Sequence, residues 1–106
     1  MKDMTGEHAK ATRIKAILQS HAQELHSAGI LHLDLHGSVA RDEATADSDV
    51  DLIADFDRAK ALSLFDLVGL QLRLSGMLNA SVDLSDRRFL KDEIRQRSAQ
   101  GAVVVF

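Results

Sequence analysis

Asp49 and Asp51 stand two residues apart in "SDVDLIADF", and a third acid, Asp83, sits in the similar run "SVDLSD". Side chains two apart on a strand share a face, about 7 Å from one another along the backbone before side-chain reach is counted. The two carboxylates can therefore meet at one ion. If the strand carrying Asp83 is a neighbour, all three acids converge from opposite directions on one patch. Three anions so close repel one another and would raise at least one pKa, a cost that a hard divalent cation relieves. Oxygen ligands alone point to Mg²⁺ or Mn²⁺. A pair of this kind can bridge two ions roughly 3.5–4 Å apart, one activating an attacking hydroxyl and the other neutralising nucleotide phosphates. Upstream, Gly37 has no side chain to block a close approach, and Ser38 offers a hydroxyl and N–H groups to a phosphate. Arg41, one turn onward, adds positive charge.

The surrounding elements must bring these groups together. Ile14, Ile17, Leu18 and Leu25 recur at helical spacing with Ala22 on the same stripe, and Gly29 is a stop signal. From Ile30 the period becomes two: Leu31, Leu33 and Leu35 form a packed face, and His32, Asp34 and His36 a polar one. A short helical piece is expected over 39–44. A second strand sets Val50, Leu52, Ala54 and Phe56 against Asp49, Asp51 and Asp55. Residues 59–78 read as a helix whose apolar positions, Leu62, Phe65, Leu72 and Met77 among them, are broader than one stripe, which suits a partner surface as well as a sheet. Val82 and Leu84 oppose Asp83 in a third strand. A helix over about 87–99, with Leu90 and Ile94, precedes a last short strand at Val103–Val105. The expected architecture is α/β (α+β): an α-β-α-β-α-β core with a small mixed sheet flanked by helices, in one domain spanning 1–106.

The length of 106 residues leaves little room for a second domain, and 45% hydrophobic with 27% charged residues describes a chain that folds. The net charge of −3, with scattered basic residues, argues against a nucleic-acid footprint. The absence of cysteine excludes disulfides and thiolate metal sites. No stretch reads as a signal peptide or membrane span, so the expected compartment is the cytoplasm.

The run "GSVARDEATADSDVD" fits the pattern GS-x10-DxD. Gly37, Ser38, the ten-residue gap, Asp49 and Asp51 fall in place, Arg41 and Ser48 match common flanking positions, and Asp83 follows in "VDL". On these residues the chain resembles the nucleotidyltransferase superfamily that includes DNA polymerase beta and kanamycin nucleotidyltransferase. At this length it resembles a minimal nucleotidyltransferase (MNT) domain over nearly all of its residues. Many such domains are antitoxins paired with a HEPN-domain ribonuclease toxin encoded beside them. The resemblance implies Mg²⁺-dependent transfer of AMP from ATP to a tyrosine of the toxin. It implies metal binding by Asp49, Asp51 and Asp83, with Asp83 also assisting activation of the acceptor hydroxyl. Gly37, Ser38, Arg41 and Ser48 would hold the nucleotide, and the working state would be a hetero-oligomer with the toxin.

Two positions depart from the pattern. His36 stands where a large apolar residue is usual, on the polar face and within reach of nucleotide. Asp42 replaces the usual glycine after the arginine, placing negative charge near the phosphate site. They keep open an antitoxin that neutralises by binding without turnover. A transferase acting on a small molecule such as an aminoglycoside is a third reading, against which the missing second domain counts. Plainer roles also exist for single residues: Ser38 as a helix N-cap, Arg41 as a solvated or paired surface arginine, Asp55 and Asp57 as surface charges. His32, Asp34 and His36 share a strand face without a third convergent ligand, a polar sheet face rather than a zinc site.

Overall fold

The computed structural model describes residues 7–41, 49–93, 96 and 101–106. Helices α1 (Glu7–Ser20) and α2 (Ala22–Ser27) lead into strand β1 (Ile30–His36), the single turn α3 (Gly37–Ala40) and strand β2 (Val50–Phe56). Helix α4 (Leu64–Leu78), strand β3 (Val82–Asp86) and strand β4 (Val103–Val104) follow, with 3₁₀ turns at Arg58–Lys60 and Arg87–Phe89. The strands make one four-stranded sheet in the order β3-β2-β1-β4. β1 is antiparallel to β2 and β4, whereas β2 is parallel to β3. A parallel neighbour needs a crossover connection, and α4 supplies it.

Alternation along the strands sorts the two faces of the sheet. Leu33, Leu35, Val50, Leu52, Ala54 and Val82 turn one way and form the core with Ile14 and Leu18 of α1, Leu25 of α2, and Leu70 and Leu74 of α4. Burying a leucine or valine side chain contributes roughly 1.5–3 kcal/mol, so this face carries most of the stability. The core follows the sequence pattern with one correction. Leu31 is 44% exposed, while Ile30 is fully buried. The β1–β2 register shifts between Ile30 and His32, which pair with Phe56 and Asp55. One extra residue in β1 turns Leu31 outward, as a bulge does.

The helices also differ from simple expectation. The N-terminal stripe breaks at His21, because the Ser20 hydroxyl donates to the Ile17 carbonyl at 2.6 Å and the His21 N–H tightens onto Leu18 O at 3.1 Å. Such local bonds compete with the helical ladder. The helix expected from residue 59 begins at Leu64. Asp57 caps the preceding 3₁₀ turn by accepting from Ala59 N–H, and Ala61 is left-handed at φ 47°. Ser63 and Asp66 then make a reciprocal capping box, and left-handed Asn79 ends α4.

Both edges of the sheet are secured. On β3 the Leu84 N–H donates to Gln71 Oε1 of α4 at 3.0 Å, which removes an edge donor. On the other side, Val105 N–H donates to Leu33 O at 2.9 Å, and Gln19 Nε2 donates to Val105 O at 2.9 Å. The C-terminal "VVVF" is thus partly core, with Val105 buried and Val104 exposed. The helical piece expected over 39–44 is seen at Gly37–Ala40, and its end lies outside the described residues. Of the helix expected over 87–99, residues 87–89 are a 3₁₀ turn, and Ile94 lies outside the described residues. Among the described residues no helix is long and apolar enough to cross a membrane.

The bulge makes a direct prediction. Leu33→Ala should cost about 2–5 kcal/mol in urea denaturation, while Leu31→Ala should change stability by no more than about 0.5 kcal/mol. Equal costs would contradict the outward turn of Leu31.

Candidate active site

Asp51 and Asp83 occupy the face of the sheet opposite the helices. They are register partners on parallel β2 and β3, and His36 of β1 is the register partner of Asp51 on the other side. His36, Asp51 and Asp83 therefore form a row across three adjacent strands, each step about 4.8 Å. The two strands do not bring their acids from opposite directions, as expected from sequence: being parallel, they present them side by side. Asp49 is exposed, just ahead of β2. The Asp51 carboxyl is pushed above the ordinary carboxylate value by burial, then by the charge of Asp83 and of Asp49, with His36 and Arg41 opposing. Asp83 and Asp49 thus both act on Asp51. Among the described residues, however, no three His, Cys, Asp or Glu side chains are gathered closely enough to hold a metal ion. The acids are an open set rather than a closed shell.

Gly37 is the turn that this crowding requires. Its φ is +76°, and a Cβ built on it would lie 2.2 Å from Asp51 Oδ2. Any other residue would meet both a disfavoured backbone and a clash with the carboxylate. The N-cap position of α3 falls on His36, so Ser38, half-buried, lies inside the turn instead of capping it. Arg41 ends α3, its stem against the backbone of Gly101, where a Cβ would come within 3.1 Å of Arg41 Cγ. Its charge nevertheless reaches Asp51. Ser48 and Asp42 lie outside the described residues.

One residue on this face was not anticipated. Arg87 donates through Nη2 to Asp34 Oδ2 at 2.6 Å and through Nε to Asp55 Oδ1 at 2.9 Å. Burial works against the guanidinium charge, but the bonds to Asp34 and Asp55 outweigh it and raise the Arg87 pKa. Asp55 is accordingly one arm of a clamp across β1 and β2, not a loose surface charge. His36 is only 5% exposed, with Nε2 at 3.9 Å from Asp34 Oδ2. Its ring is almost wholly buried. The alternation that puts Asp83 on this face also carries residue 87 there. A basic residue opposite acids 34 and 55 becomes legible only once the strand order is known.

This mixed sheet, with a glycine turn against a DxD strand and a third acid in register beside it, is the fold of a nucleotidyltransferase. Residues 13–105 match the nucleotidyltransferase domain family, and the chain belongs to that family. It is similar to the protein adenylyltransferase MntA of Thermococcus cleftensis, 34% identical over 93 residues that cover 87% of this chain and 92% of the relative. A solved structure provisionally described as a minimal nucleotidyltransferase superposes with a TM-score of 0.69 at 30% identity, covering 96% of this chain and 98% of the other. A toxin–antitoxin structure with AMP-PNP shares the fold at a TM-score of 0.67 and 20% identity, over 83% of this chain and 72% of the other.

Two outcomes follow from the geometry. Gly37→Ala should destabilise the fold by at least about 1–2 kcal/mol, the cost of a non-glycine residue in the left-handed region, with the carboxylate clash adding to it; chemical denaturation measures this. Because the folded state holds the Asp51 proton more tightly than the unfolded chain does, ionisation costs stability as pH rises above the ordinary value of 3.8. Asp51→Asn should therefore raise Tm near neutral pH and lose that advantage below 3.8. An advantage independent of pH would contradict this account.

Proposed function

We propose that this chain transfers AMP from ATP to a tyrosine hydroxyl of a HEPN-domain ribonuclease toxin, and so acts as an antitoxin in the cytoplasm. The observation that carries the reading is the contact of the Gly37 turn with Asp51, in register with Asp83. The similarity to a protein adenylyltransferase supports protein as the acceptor. No tyrosine lies within these 106 residues, so a tyrosine acceptor lies outside them.

The open acidic set suits Mg²⁺, which is commonly held by one or two carboxylates and completes its shell with water and substrate phosphate oxygens. When bound, such ions neutralise phosphate charge and favour the deprotonated acceptor hydroxyl. Asp49, Asp51 and Asp83 would hold such ions, and Asp83, beside Asp51, assists removal of the acceptor's proton. The acceptor oxygen bonds to the α-phosphorus of ATP as the bond to the β-phosphate breaks, and pyrophosphate leaves. The backbone at Gly37, the Ser38 hydroxyl and the Arg41 and Ser48 side chains hold the phosphates. Arg87, with Asp34 and Asp55, keeps β1 and β2 in the register that places His36 beside Asp51.

A second reading, neutralisation by binding alone, is favoured by one observation: the acids among the described residues do not form a three-ligand metal set. Intact mass spectrometry separates the two. After incubation with ATP, Mg²⁺ and the all-helical product of the adjacent gene, transfer adds AMP to that partner, and Asp49→Ala, Asp51→Ala or chelation by EDTA abolishes the gain. A tightly bound partner of unchanged mass would support the binding module instead.

A further inference from the structure

We propose that α4 is a second working surface, through which two copies of this chain pair antiparallel about a two-fold axis beside Gly69. Leu70 and Leu74 turn inward at 5% and 0% exposure, whereas Phe65, Val68 and Leu72 on the opposite side are 89%, 48% and 66% exposed. Three large apolar side chains at positions 65, 68 and 72 form a continuous helical stripe, and such contiguous patches mark contact sites. A protein seated at Asp49, Asp51 and Asp83 lies on the other face of the sheet and leaves this stripe uncovered.

The stripe and its charged flank fit a copy of themselves. Asp66 and Arg73 lie on one flank of α4, about 5 Å on either side of a point between residues 69 and 70. When two such helices pair antiparallel about that point, identical flanks meet. Asp66 of each then faces the second copy's Arg73, two ion pairs from one symmetry operation. A parallel pair would bring opposite flanks together and lose both. Arg73 already bonds Glu24 through Nη2, but a guanidinium has five donors and can serve two carboxylates. Asp66 uses Oδ2 for the capping box. Gly69 stands at the axis, and a Cβ built there would meet no atom within 4 Å, so the helices can approach closely. On the same flank a hollow of about 480 Å³, bordered by Ala28, Leu62, Phe65, Gly69 and Arg73, offers room for the second copy's apolar side chains.

The test is sedimentation equilibrium of the isolated chain up to about 100 µM, a range that detects weak self-association. The expected result is a dimer whose Kd rises at least about 100-fold in Gly69→Trp, with an unchanged circular dichroism spectrum because Gly69 is exposed on the monomer and a Cβ there meets no atom within 4 Å. The chain has no cysteine, so Gly69→Cys should cross-link as a dimer on mild oxidation, while the exposed control Lys91→Cys should not. A monomer throughout this range, or a dimer indifferent to Gly69→Trp, overturns the proposal. So does a monomeric wild type whose Gly69→Trp variant loses its binding to the adjacent gene product, which would assign the stripe to that partner. None of these readouts depends on AMP transfer.

Discussion

The close approach of the Gly37 backbone to the Asp51 carboxylate is the constraint on which the rest of this face depends. It needs a residue without a Cβ at a left-handed turn, directly after a strand whose other face is locked in the core. Moving β1 by one residue would turn Leu33 and Leu35 out and His36 in, so the core that stabilises the sheet also sets the position of the turn. The site inherits its precision from burial on the opposite face.

The same face handles its charges in two ways. Toward one end, Asp34 and Asp55 share Arg87, a clamp that binds β1 to β2 and neutralises acids that would otherwise repel. Toward the other, burial raises the Asp51 pKa first and the charges of Asp83 and Asp49 raise it further. Perturbed carboxylates cluster at functional sites, and structural ion-pair networks perturb pKa values too. That contrast along one sheet distinguishes the acids that hold the fold from those proposed to do chemistry.

The helical layer divides its work similarly. α4 completes the crossover between parallel strands, anchors its inner face with Leu70 and Leu74, and satisfies the β3 edge through Gln71. Its outer face bears apolar side chains that none of these duties requires. A chain of this size has few surfaces, and the sheet separates them: acids on one side, an apolar helix on the other.

Strand alternation made the strands and most of the core legible in the residues themselves, because a period of two is imposed by the backbone. The glycine-serine pair and its spacing to the acids likewise identified the family without coordinates. The bulge at Leu31 was not legible, since it depends on how β1 meets β2, nor was the late start of α4, where a capping box outweighed a run of helix formers. The sequence by itself therefore determined most of the strand faces and the place of a glycine-serine turn ahead of the acids. Only the tertiary structure decided that β2 and β3 run parallel with Asp51 beside Asp83, and that Arg87 joins Asp34 to Asp55. Those facts rest on strand order and register, which arise from contacts between residues far apart in the chain.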